Sequence, residues 1–205
     1  MPDTAIHRTD TKSSFVYQVK EKELVNRIMD KRKEANLRVK QNITSTLFSL
    51  MAQKSLADIH ITELVDGAGV ARASFYRNYC SKEDVLITLI RDTLEEFREK
   101  IDLGQGSFYT YENILLSFQY FQKYRNYVLD LYRSGFASVL LEELNLFHES
   151  IEGSMPSTSI EKYQLYLYIG ALFNTAIVWL SEEDKTSPED MAHFFLNTAV
   201  RMLKK

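Results

Sequence analysis

The sequence predicts an all-α protein, and three observations predict it. Its 205 residues include only seven glycines and three prolines, so little of the chain is punctuated for strands or tight turns. Apolar residues recur at spacings of three and four instead of alternating, the period of helices with one buried face. With 45% hydrophobic and 26% charged residues, the composition is that of a globular chain able to bury the core of one or two small domains.

Residues 1–19 are polar and aperiodic, and read as a flexible tail. Helix formers dominate from about Glu21, and Ile43, Leu47, Leu50 and Met51 place one apolar stripe on a helix ending near Lys54. Beyond SLADIH, the residues Ile61, Leu64, Val65 and Ala68 mark a helix of barely two turns, interrupted by Gly67 and Gly69. Gly69 can take the positive φ of a tight turn. A second short helix follows over 72–79. Ser81 is a good N-cap, Glu83 and Asp84 complement the dipole of the first turn, and a long helix runs through Val85, Leu86, Leu89, Ile90, Leu94 and Phe97 to about Lys100.

The glycines of LGQGS at 103–107 mark a domain boundary. The chain thus divides into the tail at 1–19, a first domain at 20–100 with its core at 40–97, and a second at 101–205. Phe, Tyr and Trp concentrate in the second, whose helices are expected over 111–124, 126–134, 138–149, 160–180 and 188–203, with Pro188 at a helix start.

Several function classes are set aside. The N-terminus MPDTAIHRTD has no apolar core of the kind a signal peptide needs, and no run approaches about 20 uncharged apolar residues, so a cytoplasmic protein without a membrane segment is expected. Cys80 is alone, and His7, His60, His148 and His193 lack ligand spacing, so no metal site is expected. Cys80 reads as an inert thiol. Without a phosphate-cradling glycine loop or a G-x-S-x-G elbow, no catalytic residue and no cofactor are assigned and the chain is not read as an enzyme. Glu142, Glu143 and the acids of 182–184 read as solvated helix ends.

The net charge of −3 hides an asymmetry: residues 1–100 carry 17 Lys/Arg against 15 Asp/Glu, and residues 101–205 carry 8 against 13. Within the first half, 20–40 is rich in Lys and Arg. That segment reads equally well as a basic approach to phosphates or as a solvated helix laced with ion pairs.

Two short helices joined by a glycine turn form a helix-turn-helix unit, the first bracing the fold and the second entering the major groove of DNA. In ARASFYRNYCSKEDVL, Phe75 and Tyr79 stand four apart and should point inward with Val70, leaving Arg72, Ala73, Tyr76 and Arg77 outward. Guanidinium groups match the O6 and N7 acceptors of guanine, and the hydroxyls of Thr62, Ser74 and Tyr76 suit phosphate oxygens. Lys82 can reach the backbone as well. The candidate DNA-binding residues are therefore Thr62, Arg72, Ala73, Ser74, Tyr76, Arg77, Asn78 and Lys82, with Gly69 as the turn.

The segment 59–86, IHITELVDGAGVARASFYRNYCSKEDVL, resembles the DNA-binding domain of the TetR/AcrR family of transcriptional regulators. Ala68-Gly69-Val70, Phe75-Tyr76, Tyr79 and Ser81-Lys82-Glu83 with Leu86 carry the resemblance, and Arg72 with Ser74-Phe75-Tyr76 is similar to the branch common in low-GC Gram-positive bacteria. His60, Ala71 and Asn78 depart from the pattern, the last standing where the family has a phosphate-binding His. The resemblance implies an N-terminal three-helix DNA-binding domain, and a C-terminal helical domain for ligand binding and dimerisation. It also implies a homodimer formed by the last two helices, which binds a palindromic double-stranded operator as a repressor released by a small molecule.

The aromatic second half reads as a pocket for a flat or apolar ligand or as an ordinary core; Phe118, Phe121, Tyr127, Phe173 and Trp179 are the candidate pocket residues. The apolar faces suited to a subunit interface are Leu165, Ile169, Leu172, Phe173, Ala176, Trp179 and Leu180, and then Met191, Phe194, Phe195, Thr198 and Met202. The alternative reading is a related coactivator that acts through a partner protein.

Overall fold

The computed structural model describes residues 10–102, 108–153, 155–156, 158–183 and 186–201, with side chains from Met29 onward except at Val200. The expected boundary at 103–107 and residues Met202 and Leu203 lie outside it, as do residues 1–9 of the expected tail. All elements among the described residues are helical.

The first, α1, spans Asp10–Met51. It begins well before the expected Glu21, because no glycine or proline interrupts the chain between Asp10 and Met51. Every side chain from Met29 to Arg38 is exposed, and Lys31, Arg32, Lys33 and Arg38 make no ion pair among the described residues. This stretch is a solvated cationic arm. The C-terminal part of α1 does the packing: Ile43 and Leu47 are fully buried.

After a single 3₁₀ turn at Leu56–Asp58 come α2 at Ile61–Ala68, α3 at Arg72–Asn78 and α4 at Lys82–Arg98. Leu64, Val65, Phe75, Tyr79, Val85 and Leu86 close on α1 with 4% exposure or less. Burying each such side chain contributes about 1.5–3 kcal/mol. Ser81 caps α4 by accepting the Asp84 N–H at 3.2 Å, while the Asp84 carboxylate accepts the Cys80 N–H at 2.8 Å, so two otherwise unsatisfied donors are covered.

The second half holds α5 at Tyr111–Lys123, α6 at Arg125–Arg133, α7 at Ala137–Glu152, α8 at Ile160–Ser181 and α9 at Pro188–Phe195, which runs on as a π turn to Val200. Helix α4 is bolted to this body. Arg91 donates two bonds to the buried Glu143 carboxylate at 2.8 and 2.7 Å. Glu96 accepts from Lys123 at 2.7 Å, Tyr124 at 2.6 Å, Lys100 at 2.9 Å and Tyr120 at 3.1 Å. The Lys123 bond first, then the others, holds the Glu96 carboxyl far below the ordinary carboxylate range.

Helix α8 corrects one expectation. Leu165, Ile169, Leu172, Phe173, Ala176, Trp179 and Leu180, expected at a subunit interface, are all buried in the chain's own core. The side left to solvent carries Ile160, Tyr163, Leu167 and Val178, each more than half exposed. On α9, Phe195 is likewise buried, whereas Phe194 is exposed. By length and composition α8 could span a bilayer, and half of that stretch is buried inside the body.

Candidate nucleic-acid interface

The turn between α2 and α3 is set by hydrogen bonds as well as by glycine. Gly69 has φ 62° and ψ 35°, its N–H donates to Asp66 O at 3.1 Å, and the Val70 N–H donates to Val65 O at 3.0 Å. This pair of bonds satisfies the last carbonyls of α2 and requires a left-handed residue at Gly69. Asn42 of α1 donates to Ala68 O at 3.3 Å, which fixes the turn against α1. Gly67 does not interrupt α2 as expected; it lies inside it, where a Cβ would stand 2.9 Å from Thr46 Cγ2. Nothing lies within 4 Å of a Cβ at Gly69. Gly69→Ala is therefore expected to cost about 1–2 kcal/mol through backbone strain alone, read as a lower urea midpoint with an unchanged m value.

From that turn α3 presents its face as the spacing predicts. Phe75 and Tyr79 point into the core at 0% and 3% exposure, whereas Arg72, Ala73, Tyr76 and Arg77 are exposed. Arg72 donates to the Tyr76 hydroxyl at 3.4 Å, its guanidinium 5.6 Å from that ring's centre, and Arg77 donates to Ser74 Oγ at 3.0 Å. Thr62 is exposed on the first turn of α2. The helix carries no acid of its own, so its outer face is a cationic row of donors.

Two of the expected residues are turned elsewhere. Lys82 donates to Ala57 O at 2.9 Å and Ile59 O at 2.7 Å. Its ammonium thus ties the loop before α2 to the start of α4 through two of its three N–H groups. Asn78 is half-buried and donates back to Ser74 O at 2.9 Å. Cys80 is exposed.

A second feature lies deeper. A cavity of about 90 Å³ opens between α4 and the aromatic body, with walls that are almost wholly apolar. Of the expected pocket residues, Phe121 and Tyr127 line it; Phe118, Phe173 and Trp179 do not. Phe118 is fully buried edge-on to Trp179 at 5.5 Å and near Phe195 at 6.0 Å, Trp179 Nε1 donates to Thr186 O at 2.8 Å, and Phe173 is core. Unforeseen from sequence are the α4 wall, with Leu89 and Leu94, and His148 of α7. The spacing of Leu89 and Leu94 on α4 signalled burial but not what they face.

His148 is 4% exposed, and burial pushes its imidazole down to about 4. Its unfolded counterpart titrates near 6.5, so on acidification the unfolded chain takes up the proton first. The stability it contributes is complete above pH 6.5 and is expected to fall by about 3 kcal/mol on the way to pH 4. Urea midpoints of wild type and His148→Phe across that range measure it; parallel curves would contradict it.

No family model matches the chain. Over 48 residues, 23% of this chain, it is 44% identical to the HTH-type transcriptional regulator EthR of Mycobacterium tuberculosis, and equally to EthR of Mycobacterium bovis. That stretch spans only 22% of the relative's length. A TetR transcriptional regulator from Streptococcus agalactiae superimposes with TM-score 0.52 at 19% identity, covering 82% of this chain and 97% of that one. The dihydroxyacetone kinase operon activator DhaS gives 0.51 at 15% identity over 81% and 96% of the two chains. A Listeria innocua protein gives 0.59 at 18% identity over 79% and 91%. The chain therefore has the all-helical fold of TetR transcriptional regulators, an N-terminal helix-turn-helix followed by a helical body.

Proposed function

We propose that the chain is a TetR-family transcriptional regulator of the cytoplasm that binds a palindromic double-stranded operator as a homodimer. The observation that carries this is the exposed face of α3, with Arg72, Tyr76 and Arg77 held outward by the burial of Phe75 and Tyr79. The EthR stretch and the named fold neighbours support the same reading. Thr62, Ala73 and Ser74 complete the reading surface; Asn78 and Lys82 act from behind it, through Ser74 O and the loop carbonyls.

In this proposal the second copy covers the exposed stripe of Tyr163, Leu167 and Val178 on α8 with Phe194 on α9. A groove lined by Val178, Trp179, Met191 and Phe194 continues that surface. The cavity between α4 and the body is the effector site. Because its wall includes Leu89 and Leu94 of α4, a ligand there would shift α4 against α1 and change the separation of the two reading helices. The regulator is a repressor released by that ligand.

Sedimentation of wild type and of Val178→Glu with Phe194→Glu tests the dimer, with a shift from dimer to monomer expected. Footprinting of the DNA beside its own gene should show two protected half-sites about one helical turn or more apart. A monomeric wild type or a single unpaired footprint would overturn the reading. Capture of one stoichiometric partner protein, with no DNA preference, would favour a coactivator instead, a reading to which the inward turn of Lys82 and Asn78 lends some support.

A further inference from the structure

The chemistry of the cavity wall restricts what can enter it. Among the described residues no charged side chain lines it, so neither an anion nor a cation would find a counter-charge there to offset its desolvation. The polar groups on the wall have nearly all spent their protons on the protein. Thr93 Oγ1 donates to Leu89 O at 2.8 Å and Ser117 Oγ to Asn113 O at 2.9 Å. The Tyr120 and Tyr124 hydroxyls donate to the Glu96 carboxylate at 3.1 and 2.6 Å.

His148 completes the pattern. Its Nδ1 stands 2.7 Å from Leu144 O, an acceptor only, so the proton of the neutral ring sits on Nδ1. Nε2 is left as an acceptor with no hydrogen-bond partner among the described residues. Tyr127 is the one lining hydroxyl whose proton is uncommitted among the described residues. Such a wall offers lone pairs and almost no donors, a preference that an aromatic composition does not by itself create.

We propose that the cavity takes a neutral, mainly apolar ligand carrying a hydrogen-bond donor, which His148 Nε2 accepts. His148 is the residue that distinguishes a donor-bearing ligand from a plain hydrocarbon of the same shape. The inference rests on reading the cavity as the effector site, yet its test uses no DNA. A volume of about 90 Å³ is smaller than the roughly 150 Å³ of a cavity that admits benzene. A five-membered ring is therefore a fitting probe.

Pyrrole and furan have the same ring size and differ in that pyrrole alone donates an N–H. Titrated into the full chain and followed by NMR shifts of leucine methyls, among them Leu89 and Leu144, pyrrole is expected to bind about fivefold more tightly than furan, the worth of one net hydrogen bond. In His148→Phe, which keeps a ring and removes the acceptor, the two should bind alike. Equal or weaker binding of pyrrole in wild type, no shift at those methyls with either probe, or a preference that survives in His148→Phe would each overturn the proposal. Should His148→Phe fail to fold, the wild-type ratio alone decides. Loss of operator selectivity would sink the proposed function and leave this ratio untouched; the converse also holds.

Discussion

Replacing Phe75 with Ala is expected to lower the free energy of unfolding by about 3–5 kcal/mol, a large share of the 5–15 kcal/mol or so available to an ordinary domain. The ring has no exposed surface, lies edge-on to Tyr76 at 5.3 Å, and is tilted against Tyr79 at 5.8 Å. It is the side chain by which the seven-residue α3 is anchored, and a helix that short has little stability of its own. The loss should appear as a lower urea midpoint and as amide exchange concentrated in α2 and α3. Phe75→Leu, which keeps most of the buried volume, should recover much of it. A change below 1 kcal/mol in Phe75→Ala would mean that α3 is held by something other than its inner face.

The double replacement of Arg72 and Arg77 by Ala is expected to reduce operator affinity about 100-fold or more while leaving stability within about 0.5 kcal/mol, because both side chains are exposed. The two single variants separate their roles. An arginine that grips a guanine edge should, when lost, relax selectivity at one base position; one that grips phosphate should weaken all sequences alike and lower the salt slope by about one. On the proposed function, Arg72, at the N-terminal end of α3 and beside Tyr76, is expected to take the first role, and Arg77, paired with Ser74, the second. An unchanged affinity in the double variant would place DNA reading elsewhere on the molecule.

The helix-turn-helix was the most legible part of the sequence because its rules are local. Phe75 and Tyr79 stand one turn apart, and Gly69 is the residue that a left-handed turn favours. Ser81 caps α4 with the Asp84 N–H three positions on. Lys82 was not legible, since its partners Ala57 and Ile59 lie more than 20 positions earlier and meet it only once α4 packs. Helix α8 is apolar on nearly every side, so its pattern could not say which face is core and which is left to solvent. Phe118 and Trp179 are as aromatic as Phe121 and Tyr127, and composition alone does not tell a filled core from the place where side chains fail to meet.

Fluorescence anisotropy of the full chain on labelled DNA from beside its own gene, with a scrambled duplex of equal length as competitor, tests DNA reading by α3 most directly. The expected result is saturable binding at or below micromolar protein, selective for the native sequence, with log affinity falling linearly as log salt rises. Equal binding to both duplexes, or none at micromolar protein, would contradict it.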